Sequence, residues 1–276
     1  MNDLTKRTLS GLAFILVMLA GLLFNEYLFA ALMLVMMVGM LHEFFNMAMG
    51  RRKIIVRCAA ILAGIAQFML FFATLAWNMP AKYTGIGFIL LAGIICLSVL
   101  NLERGNTQDY AYILAGIIYI GIPLAFSSFL AFSAGGFDGR LILAFFILIW
   151  CSDVGAYCSG STLGKFIHSK KMSPEISPNK TWVGFWGGLV FCIIGGIVLK
   201  LTAFIGFPLV HTLALAAIVH AGGVCGDLFE SLWKRHFGVK DSGNVIPGHG
   251  GLLDRFDSSL LAIPMGTIYL TLFNLI

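Results

Sequence analysis

The chain has 276 residues, 59% of them hydrophobic and only 11% charged, with a mean hydropathy of +0.93 and a formal net charge of +5. Such a composition excludes a soluble globular domain and requires a polytopic membrane protein. The modest positive charge suits anionic lipid head groups or nucleotide phosphates, and no aromatic-interleaved basic motif points to nucleic acid.

Apolar runs long enough to cross about 30 Å of hydrocarbon, at roughly 17 to 25 residues each, cover residues 8–25, 27–48, 56–76, 83–100, 111–132, 140–158, 182–204, 207–226 and 257–275. They are continuous, whereas a barrel would show short alternating segments. The expected fold class is therefore all-α, a polytopic integral membrane protein with about nine transmembrane helices. It reads as a single membrane catalytic domain over residues 1–276, with the catalytic motifs concentrated in 150–260.

The first run follows Lys6 and Arg7 like a secretory signal, but it is long and has no clear small-residue cleavage site before Asn25 and Glu26, so it reads as a retained helix. Alternating the connections between two sides puts all but Lys82, Arg140 and Lys200 of the 18 lysines and arginines on the side of Lys6 and Arg7. By the positive-inside rule that side is cytoplasmic. It also holds both long polar loops, and nine spans would leave the C-terminus outside.

To about Ser133 the chain offers few chemical groups: a basic joint at Arg51–Lys53, a polar joint around Asn101–Asp109, and His42 with Glu43 near the cytoplasmic end of the second span. For that pair a structural polar cluster is an adequate reading. Six cysteines without CxxC spacing suggest neither disulfides nor zinc and read as small apolar packers.

The second half differs. Asp153 interrupts the sixth span, followed by Gly155 and Tyr157, and reads more readily as an ion-pair partner than as a metal ligand. A polar loop from Ser159 to Thr181 ends in SPNKTW, which places Ser177, Asn179, Lys180 and Thr181 before the seventh span, whose N-terminus favours anions. Gly184 and Gly188 form a small-xxx-small pair suited to close helix packing.

The densest chemistry lies in SLWKRHFGVKDSGNVIPGHGGLLDRFDS, residues 231–258. Carboxylates at the edge of lipid are costly and usually functional, paired or metal-bound. Asp254 and Asp257, three apart at the start of the ninth span, share a helix face, and Asp227 approaches from the end of the eighth. Oxygen-only ligands favour magnesium or manganese over zinc. Lys234, Arg235, Lys240 and Arg255 supply donors for phosphate oxygens. In Pro247, Gly248, His249, Gly250 and Gly251, side-chain-free glycines can bring backbone N–H groups to a phosphate.

The ordered set Ser231, Lys234, Arg235, Lys240, Asp241, Gly243, Pro247, His249, Gly250, Gly251, Asp254, Arg255 and Asp257, with GDLFES (226–231) and SPNKTW, resembles the pattern of the phosphatidate cytidylyltransferase, or CDP-diacylglycerol synthase, family. The likeness covers the second half in motif and the first half in hydrophobic character alone. Trp233 stands where the family generally has an aliphatic residue or Phe, and Val183 where members often carry Glu or Gln; the second departure removes a polar contact.

The resemblance implies transfer of a cytidylyl group from CTP to phosphatidic acid within the lipid bilayer of a bacterial inner membrane, giving CDP-diacylglycerol and pyrophosphate. It implies a requirement for Mg²⁺, leaves room for a second cation, and allows a homodimer. Asp227, Asp254 and Asp257 would ligate metal. Lys234, Arg235, Lys240 and Arg255 would neutralise phosphate, with Asp241 and His249 in the catalytic set. Asp153, Ser177, Asn179, Lys180, Thr181, Ser231, Gly250 and Gly251 would contact substrate.

Two other readings stay open at this level. A CTP-dependent membrane lipid kinase would transfer the γ-phosphoryl group and release CDP. An ion-coupled transporter would line a path with Asp153, Asp227 and Asp257, although no internal repeat supports it and it leaves the ordered motifs unexplained. The sequence pattern of CDP-alcohol phosphotransferases is absent.

Overall fold

The computed structural model describes residues 3–50, 52–100, 107–245 and 250–276. Helix α1 covers Asp3–Leu23, α2 Glu26–Met49, α3 Ile54–Ala76 and, after a 3-10 turn at Ala81–Thr84, α4 Gly85–Leu100. Then come α5 (Thr107–Gly116), a π turn (Ile117–Gly121), α6 (Ile122–Ala131), α7 (Arg140–Ser161) and the short α8 (Leu163–Phe166). Strands β1 (Lys171–Ser173) and β2 (Ser177–Thr181) lead into α9 (Trp182–Leu201), α10 (Leu209–His236) and α11 (Leu253–Leu272).

This is an all-α integral membrane protein. Among the described residues, six helical stretches are long and apolar enough to cross a membrane: Glu26–Met49, Ile54–Ala76, Gln108–Ala131, Arg140–Phe166, Trp182–Leu201 and Leu209–His236. Gly11–Leu23 and Ala81–Cys96 are shorter apolar helices.

Three boundaries depart from expectation for one reason: an apolar run reports the lipid slab, not the helix. The eighth helix, expected to end at residue 226, continues to His236 because nothing between Asp227 and Phe237 breaks it. Lys234, Arg235 and His236 in its last turn also complement the helix dipole. Gly238, at φ +69°, ends it. The ninth helix starts at Leu253 rather than 257, which brings Asp254 inside it. The sixth helix continues to Ser161, and the expected polar loop is largely ordered by α8 and an antiparallel hairpin pairing Lys171 with Thr181 and Ser173 with Ser177. That hairpin corrects the expectation of helices alone. Its short strands fall in the polar connection, where lipid imposes no demand for a closed barrel.

Local chemistry sets the other ends. Asn25 caps α2 by accepting from the Leu28 N–H at 2.9 Å. Pro123 cannot donate to the preceding turn, and the helix there widens into the π turn.

The chain divides into two compact units, residues 1–139 with 241–255, and residues 140–240 with 256–276. In lipid, helix contact gains little from hydrophobicity, so each unit depends on close packing. The first buries large side chains of α2 and α3, among them Phe29, Met33, Met37, Phe44, Phe68 and Phe72. In the second, small residues do the work. A Cβ on Gly155 of α7 would stand 2.9 Å from the Gly187 carbonyl of α9, and one on Gly188 2.9 Å from the Ser152 carbonyl. The glycines of α9 thus serve packing, as expected. The cysteines are all free, and Cys192 is buried with its thiol 3.1 Å from the Ala216 carbonyl oxygen.

Candidate active site

The second unit encloses a cavity of about 910 Å³ between α7, the hairpin, α9 and α10. Its polar wall includes Asp153, Lys165, His168, Lys171, Lys180 and Asp227. Lys180 reaches it from β2 and Asp227 from α10, and their Nζ and Oδ2 stand 2.7 Å apart with both side chains partly exposed. The Ser231 hydroxyl, one turn further along α10, donates to Asp227 Oδ1 at 3.3 Å. Asp153 and Asp257 lie close enough to Asp227 for their charges to interact, and the Lys180 ammonium offsets all three.

Glycine makes that proximity possible on the α11 side. A Cβ at Gly226 would stand 2.4 Å from the Asp257 carbonyl oxygen, so only glycine lets α10 and α11 meet beside Asp227 and Asp257. On the hairpin side, Thr181 caps α9 by accepting from the Gly184 N–H at 3.1 Å. That cap fixes the strand-to-helix corner from which Lys180 projects. Asn179 and Thr181 also line the cavity, while Ser177 sits opposite Ser173 on the hairpin, outside that wall.

Other cations of the motif have structural partners. Lys234 pairs with Glu230, one turn back on α10 and fully buried. A charge buried that deeply needs a counter-ion, so Lys234 neutralises Glu230 before any ligand. Arg235 donates through Nε to the Ile176 carbonyl at 3.3 Å and through a terminal nitrogen to the Val239 carbonyl at 3.1 Å, tying the hairpin turn to the end of α10. Lys240, Asp241 and Arg255 are exposed. His249, with Pro247 and Gly248, lies outside the described residues.

In the first unit the remaining motif residues form a compact clasp. Asp254 Oδ2 accepts from the Ser242 N–H and the Gly251 N–H, each at 2.9 Å, and lies 3.0 Å from the Ser242 hydroxyl. The Gly251 N–H, assigned from sequence to a phosphate, is thus directed at Asp254. Gly250 adopts φ +87°, a left-handed conformation that favours glycine, and its Cα lies beside Asp254. Glu43 of α2 underlies the clasp, accepting from the Leu252 N–H at 2.9 Å, the Leu253 N–H at 2.8 Å and the Ser242 hydroxyl at 3.0 Å.

Sequence reading passed over Ser242, Lys165, His168 and Lys171, and gave Glu43 a local role. The signal for Glu43 was available: apart from Glu26 at the helix start, it is the one acid in α2, and an ionisable side chain within a membrane helix is costly unless it has a task.

A family profile described as the Cytidylyltransferase family matches residues 5–273. The chain belongs to this cytidylyltransferase family. It is 35% identical over 270 residues to a protein of Staphylococcus haemolyticus named phosphatidate cytidylyltransferase, an alignment covering 96% of this chain and 98% of that one. A Bacillus subtilis protein of the same name is 33% identical over 285 residues, covering 99% and 100% of the two chains. A Staphylococcus saprophyticus protein, also so named, is 40% identical over 185 residues, 67% of this chain and 66% of its own. The cytidylyltransferase match therefore extends through α1–α6, where sequence motifs alone were silent.

Proposed function

We infer that this protein is a phosphatidate cytidylyltransferase, transferring the cytidylyl group of CTP to phosphatidic acid to form CDP-diacylglycerol and pyrophosphate. The observation that carries the reading is the Lys180–Asp227 pair on the wall of a cavity bounded by helices apolar enough to cross a membrane. Ammonium and carboxylate groups in such a place serve a reaction between a charged nucleotide and a lipid head group. The full-length likeness to proteins of that name supports it.

A phosphate oxygen of phosphatidic acid attacks the α-phosphorus of CTP in line. The bond from that phosphorus to the α,β-bridging oxygen breaks, and pyrophosphate leaves with the electron pair. The nucleophile is already ionised, so no strong base is needed. Lys180, with Lys165 and Lys171 at the same cavity, stabilises negative charge on the triphosphate as it shifts toward the leaving group. Asp153, Asn179, Thr181 and Ser231 orient phosphate and ribose groups, and Lys240 and Arg255 meet the incoming nucleotide.

Mg²⁺ fits the donor set. The carboxylates are hard oxygen ligands, and Mg²⁺ on nucleotides is held by one or two carboxylates together with substrate phosphates. Among the described residues no group of three or more His, Cys, Asp or Glu side chains is gathered to hold a metal ion, so the nucleotide phosphates would have to supply the remaining ligands. Asp227, Asp254 and Asp257 are the residues assigned to it. When bound, it neutralises phosphate charge and polarises the α-phosphorus.

In this reading the six long apolar stretches are joined by α1, α4 and α11 to make nine crossings of a bacterial cytoplasmic membrane, with Lys6, Arg7 and the polar loops of the second half on the cytoplasmic side, where CTP is found. The diacyl tails stay in the leaflet. The deciding experiment supplies purified protein in detergent with CTP, phosphatidic acid and varied Mg²⁺, and quantifies both products. Equal, Mg²⁺-dependent yields of CDP-diacylglycerol and pyrophosphate are expected. Release of CDP with a phosphorylated lipid alcohol would replace this reading with a lipid kinase, and folded protein inert toward CTP would replace it with transport.

A further inference from the structure

We propose that Glu43 is a positioning residue for the reaction: its buried carboxylate caps the N-terminus of α11 from another helix and, through Ser242, sets the orientation of Asp254. The inference rests on the reading of Asp254 as part of the catalytic centre.

Four observations carry it. Glu43 is only 3% exposed, and a carboxylate so placed is tolerated only when hydrogen-bonded or paired. The hydrogen bonds it accepts come from residues about 200 positions away in the chain: the Leu252 and Leu253 N–H groups and the Ser242 hydroxyl. Leu253 opens α11 and Leu252 immediately precedes it, so both amides lie at the N-terminal end of the helix, where a helix has no internal acceptors and carries partial positive charge. A local N-cap side chain, as Asn25 provides for α2 and Thr181 for α9, is replaced here by a side chain from α2.

Ser242 links the two acids. Its hydroxyl lies 3.0 Å from Glu43 Oε2 and 3.0 Å from Asp254 Oδ2, and accepts from the Asp254 N–H at 3.3 Å. With a single hydroxyl proton it serves one carboxylate at a time. The backbone of the clasp is moulded to this contact. A Cβ on Gly243 would stand 2.6 Å from Glu43 Oε1, and one on Gly251 would stand 2.6 Å from Glu43 Oε2 and 2.1 Å from Ser242 Oγ. A side chain at either glycine would therefore displace the Glu43 carboxylate from its place in the clasp.

A carboxylate that merely filled a space would be replaced by its amide with little effect. Glutamine keeps the size and one acceptor, but its NH₂ faces an N–H or hydroxyl that needs an acceptor. Purified full-length Glu43→Gln, Glu43→Asp, Ser242→Ala and the Glu43→Gln/Ser242→Ala double variant would be compared with wild type for kcat, KM for CTP and phosphatidic acid, thermal unfolding and amide hydrogen exchange.

For Glu43→Gln we expect kcat to fall about 10- to 100-fold, the effect of removing a group that orients a catalytic ligand. KM should change little, Glu43→Asp should recover part of the loss, and faster exchange should be confined to residues 241–254. The double variant should be no worse than Glu43→Gln alone, because both changes break one chain of contacts.

A Glu43→Gln protein with wild-type kcat and exchange overturns the proposal. So do losses that multiply in the double variant, or a loss that merely tracks global unfolding. If the wild-type protein shows no CTP turnover, the functional reading fails and with it the catalytic consequence assigned to Glu43. Unaltered exchange at 241–254 marks failure of the clamp itself.

Discussion

The two acidic centres of this protein are built on opposite principles. Around Asp254 in the first unit, two backbone amides and a hydroxyl converge on one carboxylate oxygen, with Glu43 holding the same backbone from below. Around Asp227 in the second unit, a lysine ammonium and a serine hydroxyl share the carboxylate on the wall of an open cavity. The first arrangement fixes a geometry and leaves little for a ligand to rearrange. The second keeps charge accessible, so that an arriving phosphate can exchange places with one partner of the ion pair. A nucleotidyl transferase working on a lipid needs both, because positioning and charge compensation are different tasks.

The largest test of this contrast is Asp227→Asn. Removing the accessible carboxylate while keeping its shape should lower CDP-diacylglycerol formation on the order of 10³-fold, the scale of losing one preorganised electrostatic group. Membrane insertion and apparent Tm should hold. Near-normal turnover would take Asp227 out of the centre. The same assay applied to Asp254→Asn should give a comparable loss, here with faster amide exchange in the clasp, since the amide group would oppose the Ser242 and Gly251 N–H groups.

Lys180→Met should cost on the order of 10²-fold in kcat/KM for CTP, steeper at low ionic strength, because a partly exposed cation acts through a field that salt screens. A loss indifferent to salt would mean that Lys180 serves folding.

Gly226→Ala sharpens the contrast from the packing side. Its new Cβ would press on the Asp257 carbonyl, and overpacking of this kind costs about 1–3 kcal/mol. A lower apparent Tm and reduced turnover are expected together, and an unchanged Tm would show that α10 and α11 are not held as close as described. The smallest effect should come from Thr181→Ala, where loss of the α9 cap costs about 1 kcal/mol. Thermal unfolding read against the Lys180→Met protein would separate the cap from the cation it positions.

Much of the site was legible in the chain because its chemistry is local. Lys180 and Thr181 in SPNKTW, Asp227 in GDLFES, and Asp254 with Asp257 are recognisable as charged or capping residues set at the edges of apolar runs. The helices were legible too, since lipid leaves a long apolar segment little alternative. Their ends were not, as α10 shows: ten polar-rich residues after Gly226 continue the helix because nothing in them stops it. Lys234 looked like a phosphate ligand because Glu230, a turn away, was not weighed as its partner.

Glu43 marks the limit. By itself the sequence determined the class of protein, the all-helical membrane-embedded core, the family and the residues able to meet phosphate, since these follow from hydropathy, spacing and residue type. Only the tertiary structure decided that a glutamate in α2 would cap α11, that Gly251 would turn its N–H to Asp254, and that the polar loop would fold into a hairpin delivering Lys180 to Asp227. The Glu43 and Lys180 contacts join residues tens to hundreds of positions apart, while Gly251 reaches a residue three positions on only because of how its turn is oriented. Hydrogen-bond direction and close packing select them, and neither leaves a periodic trace in the chain.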